Sequence, residues 1–225
     1  PHAGREVREM FQRLDLLREQ QRFRRHLEME RKSMTEELRR LSETDALTGL
    51  LNRRALTDAV EGLLAGQSAD FRGIAIIMLD IDHFKSINDR YGHAIGDMVL
   101  QRAAQILAPC LRAADLFARY GGEEFVIVMG DVAEASARST AERLRETLAK
   151  TVVSDEHGLT VTASFGVDWQ AQCVFQDWEK LAVVADNRLY QAKRNGRNLV
   201  CWSDASAEDS AVSASGDGPG GANAA

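Results

Sequence analysis

Two pairs of carboxylates sit where this sequence passes from apolar strand to loop, and acids so placed can hold a metal ion or move a proton. The first pair is Glu123-Glu124, at the exit of Arg119-Tyr120-Gly121-Gly122. Residues 115–120 are rich in apolar and aromatic side chains, and Phe125-Val126-Ile127-Val128-Met129 is a β-branched apolar run, so both flanks read as strands. The glycine pair reads as a two-residue hairpin turn, whose central positions need the positive φ that glycine adopts freely. On these residues alone the acids belong either to a site or to an exposed acidic hairpin tip. The second pair decides. Ile74-Ala75-Ile76-Ile77-Met78-Leu79 is apolar enough to be a strand buried on both faces, and it runs straight into Asp80 and Asp82. Acids at the end of a buried strand are costly unless something pairs with them. A divalent cation is the simplest partner, since Mg²⁺ takes hard oxygen ligands, commonly one or two carboxylates completed by substrate phosphates and water. Asp80 and Glu123 supply those carboxylates if their strands are neighbours, and such a site suits phosphoryl or nucleotidyl transfer.

The bulk properties limit the partners. A chain of 225 residues with 44% hydrophobic content holds one sizeable core with appendages. A net charge of −6 argues against a binder of nucleic-acid polymers, so a nucleotide must be held by a few local cations. Cys110, Cys173 and Cys201 are odd in number and lack CxxC spacing, which fits packing residues in a reducing compartment and argues against zinc or a disulfide framework. No apolar run approaches membrane-spanning length and no secretory leader is visible.

Several motifs in order resemble the GGDEF family. Gly121-Gly122-Glu123-Glu124-Phe125 is similar to its signature in the GGEEF form, and Asp45-Ala46-Leu47-Thr48-Gly49-Leu50-Leu51-Asn52-Arg53-Arg54 to its opening motif. Asp80 to Asp89 and Tyr91 to Asp97 resemble its metal and guanine segment, and Tyr190 to Asn198 its closing motif. The resemblance spans residues 41–202 and implies a diguanylate cyclase domain that condenses two GTP into cyclic di-GMP and two pyrophosphates. It implies an α+β fold, a mixed and largely antiparallel central sheet surrounded by helices as in the polymerase palm and the class III nucleotide cyclases. It also implies that Asp80, the Ile81 backbone carbonyl and Glu123 hold Mg²⁺, with Mn²⁺ as the alternative, and that Glu124 supports these catalytic acids. Lys85, Lys193 and Arg197 would neutralise phosphate charge. Asn88 and Asp97 carry groups that guanine recognition needs, because a carboxylate accepts from the base N1–H and amine while an amide both donates and accepts. On their own these two residues read as turn or cap residues; the resemblance makes them base-binding. His93 either lines that pocket or makes a structural hydrogen bond. Arg112-Ala113-Ala114-Asp115 resembles the family's RxxD inhibitory site, and Arg143 matches its accessory product-binding arginine. The rival reading is a catalytically silent GTP or cyclic di-GMP sensor.

These residues need elements to carry them. Residues 1–44 read as a long amphipathic helix, either a dimeric coiled-coil linker or a helix packed on its own domain or solvated: Val7, Met10, Leu14 and Leu17 fit one heptad seam, while Leu16, Phe23, Leu27, Met34 and Leu41 fit a seam displaced by one residue, a pattern that suits either a switch between dimer arrangements or an imperfect stalk with one seam. Ser42-Glu43-Thr44-Asp45 reads as the cap of a new helix, a helix follows over 54–64, and the resemblance implies that Asn52 and Arg53 fix the joint to the N-terminal helix. Helices follow over 83–91, 96–111, 132–148 and 178–194, the last with Leu181, Val184, Ala185 and Leu189 inward. Strands are expected over 159–167, ending at Gly166, and over 199–202. Asn195-Gly196 reads as a helix-ending turn that exposes Lys193 and Arg197. The catalytic domain is thus placed at 45–202, and the Ala-, Ser- and Gly-rich residues 203–225 as a disordered tail. Because one subunit would hold half the reaction, a homodimer through the N-terminal helix is expected. The first residue is not Met, so the expectation is a piece of a longer protein with a sensory domain upstream, cytoplasmic as such or as the cytoplasmic part of a larger sensor.

Overall fold

Ile74 to Ile81 form a strand with every residue buried, β2 (Ile74–Ile81), and the rest of the domain is arranged on its two edges and two faces. The computed structural model describes residues 43–68, 70–154, 156, 158–172 and 178–202, with 21, 24–32 and 34 from the N-terminal segment. Residues 1–44 and 45–225 form two separate units. In the first, described residues 21, 24–32, 34 and 43 are helical, and Leu27, Met29 and Met34 are exposed apolar side chains. The seam positions Val7, Met10, Leu14, Leu16, Leu17, Phe23 and Leu41 lie outside the described residues, as do Cys173 and the tail from 203 onward.

In the second unit β2 pairs antiparallel on one edge with β4 (Glu124–Met129) and on the other with β7 (Ala163–Gln170). Beyond β4 lie β3 (Leu116–Arg119), antiparallel, and β1 (Leu51–Asn52), parallel to β3; beyond β7 lies β8 (Val200–Cys201), parallel to it. Three antiparallel and two parallel pairings make the mixed, largely antiparallel sheet that the sequence implied. A separate short hairpin joins β5 (Val152–Ser154) to β6 (Leu159–Thr160). Strand alternation sorts β2 onto two cores. Ala75, Ile77, Leu79 and Ile81 face α2 (Phe84–Tyr91), α3 (His93–Leu107) and α4 (Glu134–Lys150). Ile74, Ile76 and Met78 face α1 (Arg53–Ala65) and α5 (Trp178–Arg194).

Several boundaries depart from the sequence reading for local reasons. The cap expected at Ser42–Asp45 does not open a helix: the Asp45 carboxylate accepts from the Thr48 amide (2.9 Å) and hydroxyl (2.8 Å) and closes a turn. Helix α1 starts at Arg53 instead, capped by Asn52 Oδ1 accepting from the Ala55 amide (2.9 Å). Helix α3 begins at His93, three residues before Gly96, because Gly92 takes the capping position with φ 86°. It ends at Leu107, where Pro109 lacks the amide a longer helix needs and the chain makes a 3₁₀ turn, Ala108–Cys110. Val132 gives its amide to the Gly73 carbonyl (3.0 Å), so α4 starts at Glu134.

The strand expected over 159–167 is interrupted at Val161-Thr162, and β7 continues past Gly166 to Gln170. Gly166 is therefore no strand end: a Cβ there would collide with the Ala185 carbonyl and the Leu189 amide, so its missing side chain is what lets α5 lie against the sheet. On α5, Leu181, Ala185 and Leu189 point inward as expected, joined by Trp178 and Ala192. Val184 points outward, at 37% exposure, because Ala185 already fills that turn's inward position. Among the described residues no helix is long and apolar enough to cross a membrane.

Candidate active site

Asp80 is the penultimate residue of β2, opposite Glu124 of β4 and Ser164 of β7. It is 5% exposed, and its Oδ2 lies 2.7 Å from the Lys193 ammonium at the end of α5. Burial pushes the Asp80 carboxyl up to about 6; Lys193 opposes that rise, and the neighbouring Glu123 and Glu124 carboxylates add to it. Two strand acids, Asp80 and Glu124, and the loop acid Glu123 thus lie at one end of the sheet. Lys193 was expected to be exposed beside Arg197, but the buried carboxylate draws it inward to 31% side-chain exposure.

The signature hairpin is built differently from its sequence reading. The β3–β4 register, with the Tyr120 amide bonded to the Glu124 carbonyl at 2.8 Å, leaves three residues in the loop, Gly121, Gly122 and Glu123. Neither glycine has a positive φ. At 121 a Cβ would stand 2.6 Å from Glu124 Oε2, so a larger residue there would make the Glu124 carboxylate swing aside, whereas Gly122 faces open space. The Gly122 carbonyl accepts from Arg119 Nε (3.1 Å) and Nη2 (2.7 Å), and Arg119 Nη1 reaches both Asp45 oxygens at 3.2 Å. One guanidinium thereby ties the acidic loop to the turn that opens the domain. The Ile81 amide donates to the Glu123 carbonyl (3.3 Å), which joins that loop to β2.

Asp82 does not share the role of Asp80. It is 4% exposed, and its carboxylate accepts from the Thr162 hydroxyl (2.7 Å), the Ser164 hydroxyl (2.6 Å) and the Asn198 amide (2.9 Å). Its partners are neutral donors, not a cation, and nothing in the local sequence marks Thr162, Ser164 or Asn198 as those donors.

The donor set fits a hard divalent ion. Burial above all, and the Glu123 and Glu124 charges in addition, raise the Asp80 carboxyl, and a bound cation would offset both. Among the described residues no three acids, histidines or cysteines form a complete cage. An ion held there would therefore complete its shell with water and substrate oxygens, as Mg²⁺ does.

The remaining candidates fall into three places. Asn88 of α2 lies across Gly96 of α3, so closely that a Cβ at 96 would strike its amide, and Asn88 Oδ1 is the buried side-chain polar atom without a partner among the described residues. His93 and Asp97 are exposed one turn apart on α3 beside this corner. Lys85, on the first turn of α2, and Arg197, after α5, are exposed, and their side chains make no hydrogen bond or ion pair to a described residue. Arg112, Asp115 and Arg143 line one cleft of about 400 Å³ together with Ser136, Ser139 and Thr140. There Asp115 Oδ2 accepts from the Arg112 amide (2.8 Å) and Arg143 Nη2 donates to the Cys110 carbonyl (2.8 Å). Ser136 and Ser139 were missed; their spacing from Arg143 along one face of α4 was the available signal. A larger hollow of about 820 Å³ lies beside Glu124, where the Arg53 guanidinium stacks 4.3 Å from the Tyr120 ring. Asp80 and Glu123 do not line it.

The model of the family described as "Diguanylate cyclase, GGDEF domain" matches residues 42–199. The chain belongs to the GGDEF family. Diguanylate cyclase A of Treponema denticola is 42% identical over 131 residues, 58% of this chain and 35% of the relative. The chain spans about a third of the length of the curated relatives it matches. Among solved structures, the coiled coil and GGDEF domain of DgcB from Caulobacter crescentus, in complex with c-di-GMP, superposes with a TM-score of 0.70 at 30% identity, over 78% of this chain and 93% of that one. The active GGEEF domain of a diguanylate cyclase from Vibrio cholerae gives 0.60 at 32% identity, over 68% and 96%. The GGDEF domain here therefore has relatives both named as cyclases and found with c-di-GMP bound.

Proposed function

We propose that this chain is a diguanylate cyclase that joins two GTP into cyclic di-GMP at a site completed by a second protomer. The observation that carries the proposal is the convergence of buried Asp80 with Glu123 and Glu124 at one sheet end, beside Lys193. Asn88 and Asp97 bind the guanine edge, with His93 at the rim. Lys85, Lys193 and Arg197 hold the triphosphate; Lys193 releases Asp80 in doing so. Asp80, Glu123 and the Ile81 carbonyl hold Mg²⁺ or Mn²⁺, which when bound neutralises phosphate charge and lowers the proton affinity of the attacking hydroxyl. Each ribose 3′-oxygen forms a bond to the α-phosphorus of the other GTP, the α–β phosphoanhydride bond breaks, and pyrophosphate leaves. Glu123 takes the hydroxyl proton, and Glu124 keeps the loop's charge and shape.

The two halves must face each other, and holding them so replaces a bimolecular encounter with a positioned one. That is the work assigned to residues 1–44 as a dimeric helix, joined to the catalytic domain, residues 45–202, and in the longer protein to a sensor. The cleft of Arg112, Asp115 and Arg143 takes the product and inhibits, since guanidinium groups fork onto phosphate and a carboxylate accepts from guanine.

The test is Glu123→Gln, which keeps size and removes charge. Cyclic di-GMP synthesis should fall at least about a hundredfold, the scale of losing one positioned charged group at a reacting centre, while GTP binding persists. Unchanged turnover would contradict the assignment.

A further inference from the structure

We propose that Asp82 is a positioning residue that holds the turn carrying Arg197 in a conformation the turn does not favour by itself. The chain leaves α5 through a Schellman motif: Gly196 takes the left-handed position with φ 118°, and the Arg197 amide donates to the Ala192 carbonyl (3.0 Å). Such a motif needs one left-handed residue. Here two more follow, Arg197 at φ 64° and Asn198 at φ 47°, and neither is glycine. Side chains disfavour that region, arginine more than asparagine, so the turn persists only if its surroundings fix it.

Two tethers do so, both on Asn198. Its amide donates to Asp82 Oδ2 (2.9 Å), and its Oδ1 accepts from Arg145 Nη1 of α4 (3.1 Å). Asp82 is itself fixed by the Thr162 and Ser164 hydroxyls and by its own amide, which donates to the Thr162 carbonyl (2.9 Å). Because Asp82 follows Asp80 by two residues, the backbone that projects Arg197 is indexed to the strand end that carries the acids. A helix end would otherwise fray, and the backbone at Arg197 would lose its tie to β2. What Arg197 meets there rests on the proposed function; what Asp82 holds does not.

The full chain provides two independent readouts. By amide hydrogen exchange, Asn198 should be protected in the unaltered chain and exchange rapidly in Asp82→Ala, while β2 and β4 amides stay protected. In GTP turnover, Asp82→Ala should raise KM about tenfold, the scale of one charge-assisted contact, with Asp82→Asn recovering most of the loss. A merely structural role is separated by a double-mutant cycle, in which the Asp82→Ala penalty on KM should vanish in an Arg197→Ala background. An Asn198 amide unprotected in the unaltered chain, or a penalty of equal size with and without Arg197, would overturn the inference. Absence of GTP turnover by the unaltered chain would instead contradict the proposed function, and the exchange readout would still decide what Asp82 holds.

Discussion

At the scale of single residues, Gly96 shows how one missing side chain sets a site. The helix corner of α2 and α3 closes on it, and the Asn88 amide occupies the place a Cβ would take. Gly96→Ala should therefore displace Asn88 and raise KM for GTP about tenfold, the worth of a hydrogen bond to a buried partner, with a much smaller change in kcat. Unaltered steady-state constants would remove Asn88 from base recognition. The buried strand end that carries Asp80, and its nearness to Glu123, were legible from the apolar run ahead of the acids, whereas Asn88 and Asp97 were singled out by the family resemblance alone. The partners of Asp82 were not legible, because its three donors come from residues 80 or more positions away, a distance over which strand alternation carries no information. Gly121 was read as a source of positive φ; the space it leaves for Glu124 depends on a side-chain direction that sequence does not give.

Between elements, the domain depends on two close approaches. Gly166 admits α5 to the sheet, and Gly166→Ala should destabilise the domain by about 3 kcal/mol, the upper range for overpacking against a backbone that cannot yield, measurable by denaturant unfolding. The other is the joint between Asp45 and Arg119. Partial burial, the largest single influence, pushes the Asp45 carboxyl upward, but the Thr48 hydroxyl and amide and the Arg119 guanidinium together hold it below the ordinary carboxylate value. Because the folded value lies below the unfolded one, the stability this joint adds is complete at neutral pH and is lost as pH falls through the folded value. Asp45→Asn should lower stability at pH 7 by about 1 kcal/mol, reduced by solvent at this partly exposed pair, and the difference from the unaltered chain should shrink in acid. A difference independent of pH would show that the charge of Asp45 is not what holds the turn. Both strands that carry the acids, β2 and β4, were legible from apolar runs. The β5–β6 hairpin and the start of β7 were not, since Leu159 to Val167 alternates continuously and only tertiary packing interrupts it.

For the whole molecule, the described residues give one GGDEF unit whose acidic sheet end and Arg112–Asp115–Arg143 cleft are distinct places. If the cleft takes product and the inhibition is a coupling between the two places, Arg112→Ala should shift half-inhibition by cyclic di-GMP upward at least about tenfold, for loss of a forked phosphate contact, and leave the uninhibited rate intact. An unshifted inhibition curve would place regulation elsewhere. Above all of this stands the claim that two copies of the chain join two GTP. The full chain should be incubated with GTP and Mg²⁺ over a range of protein concentrations, with products identified by mass spectrometry and pyrophosphate counted. The account predicts cyclic di-GMP, two pyrophosphates for each, and a rate that rises faster than linearly with protein until the chain is dimeric. Bound GTP without pyrophosphate release from a chain already dimeric would contradict it.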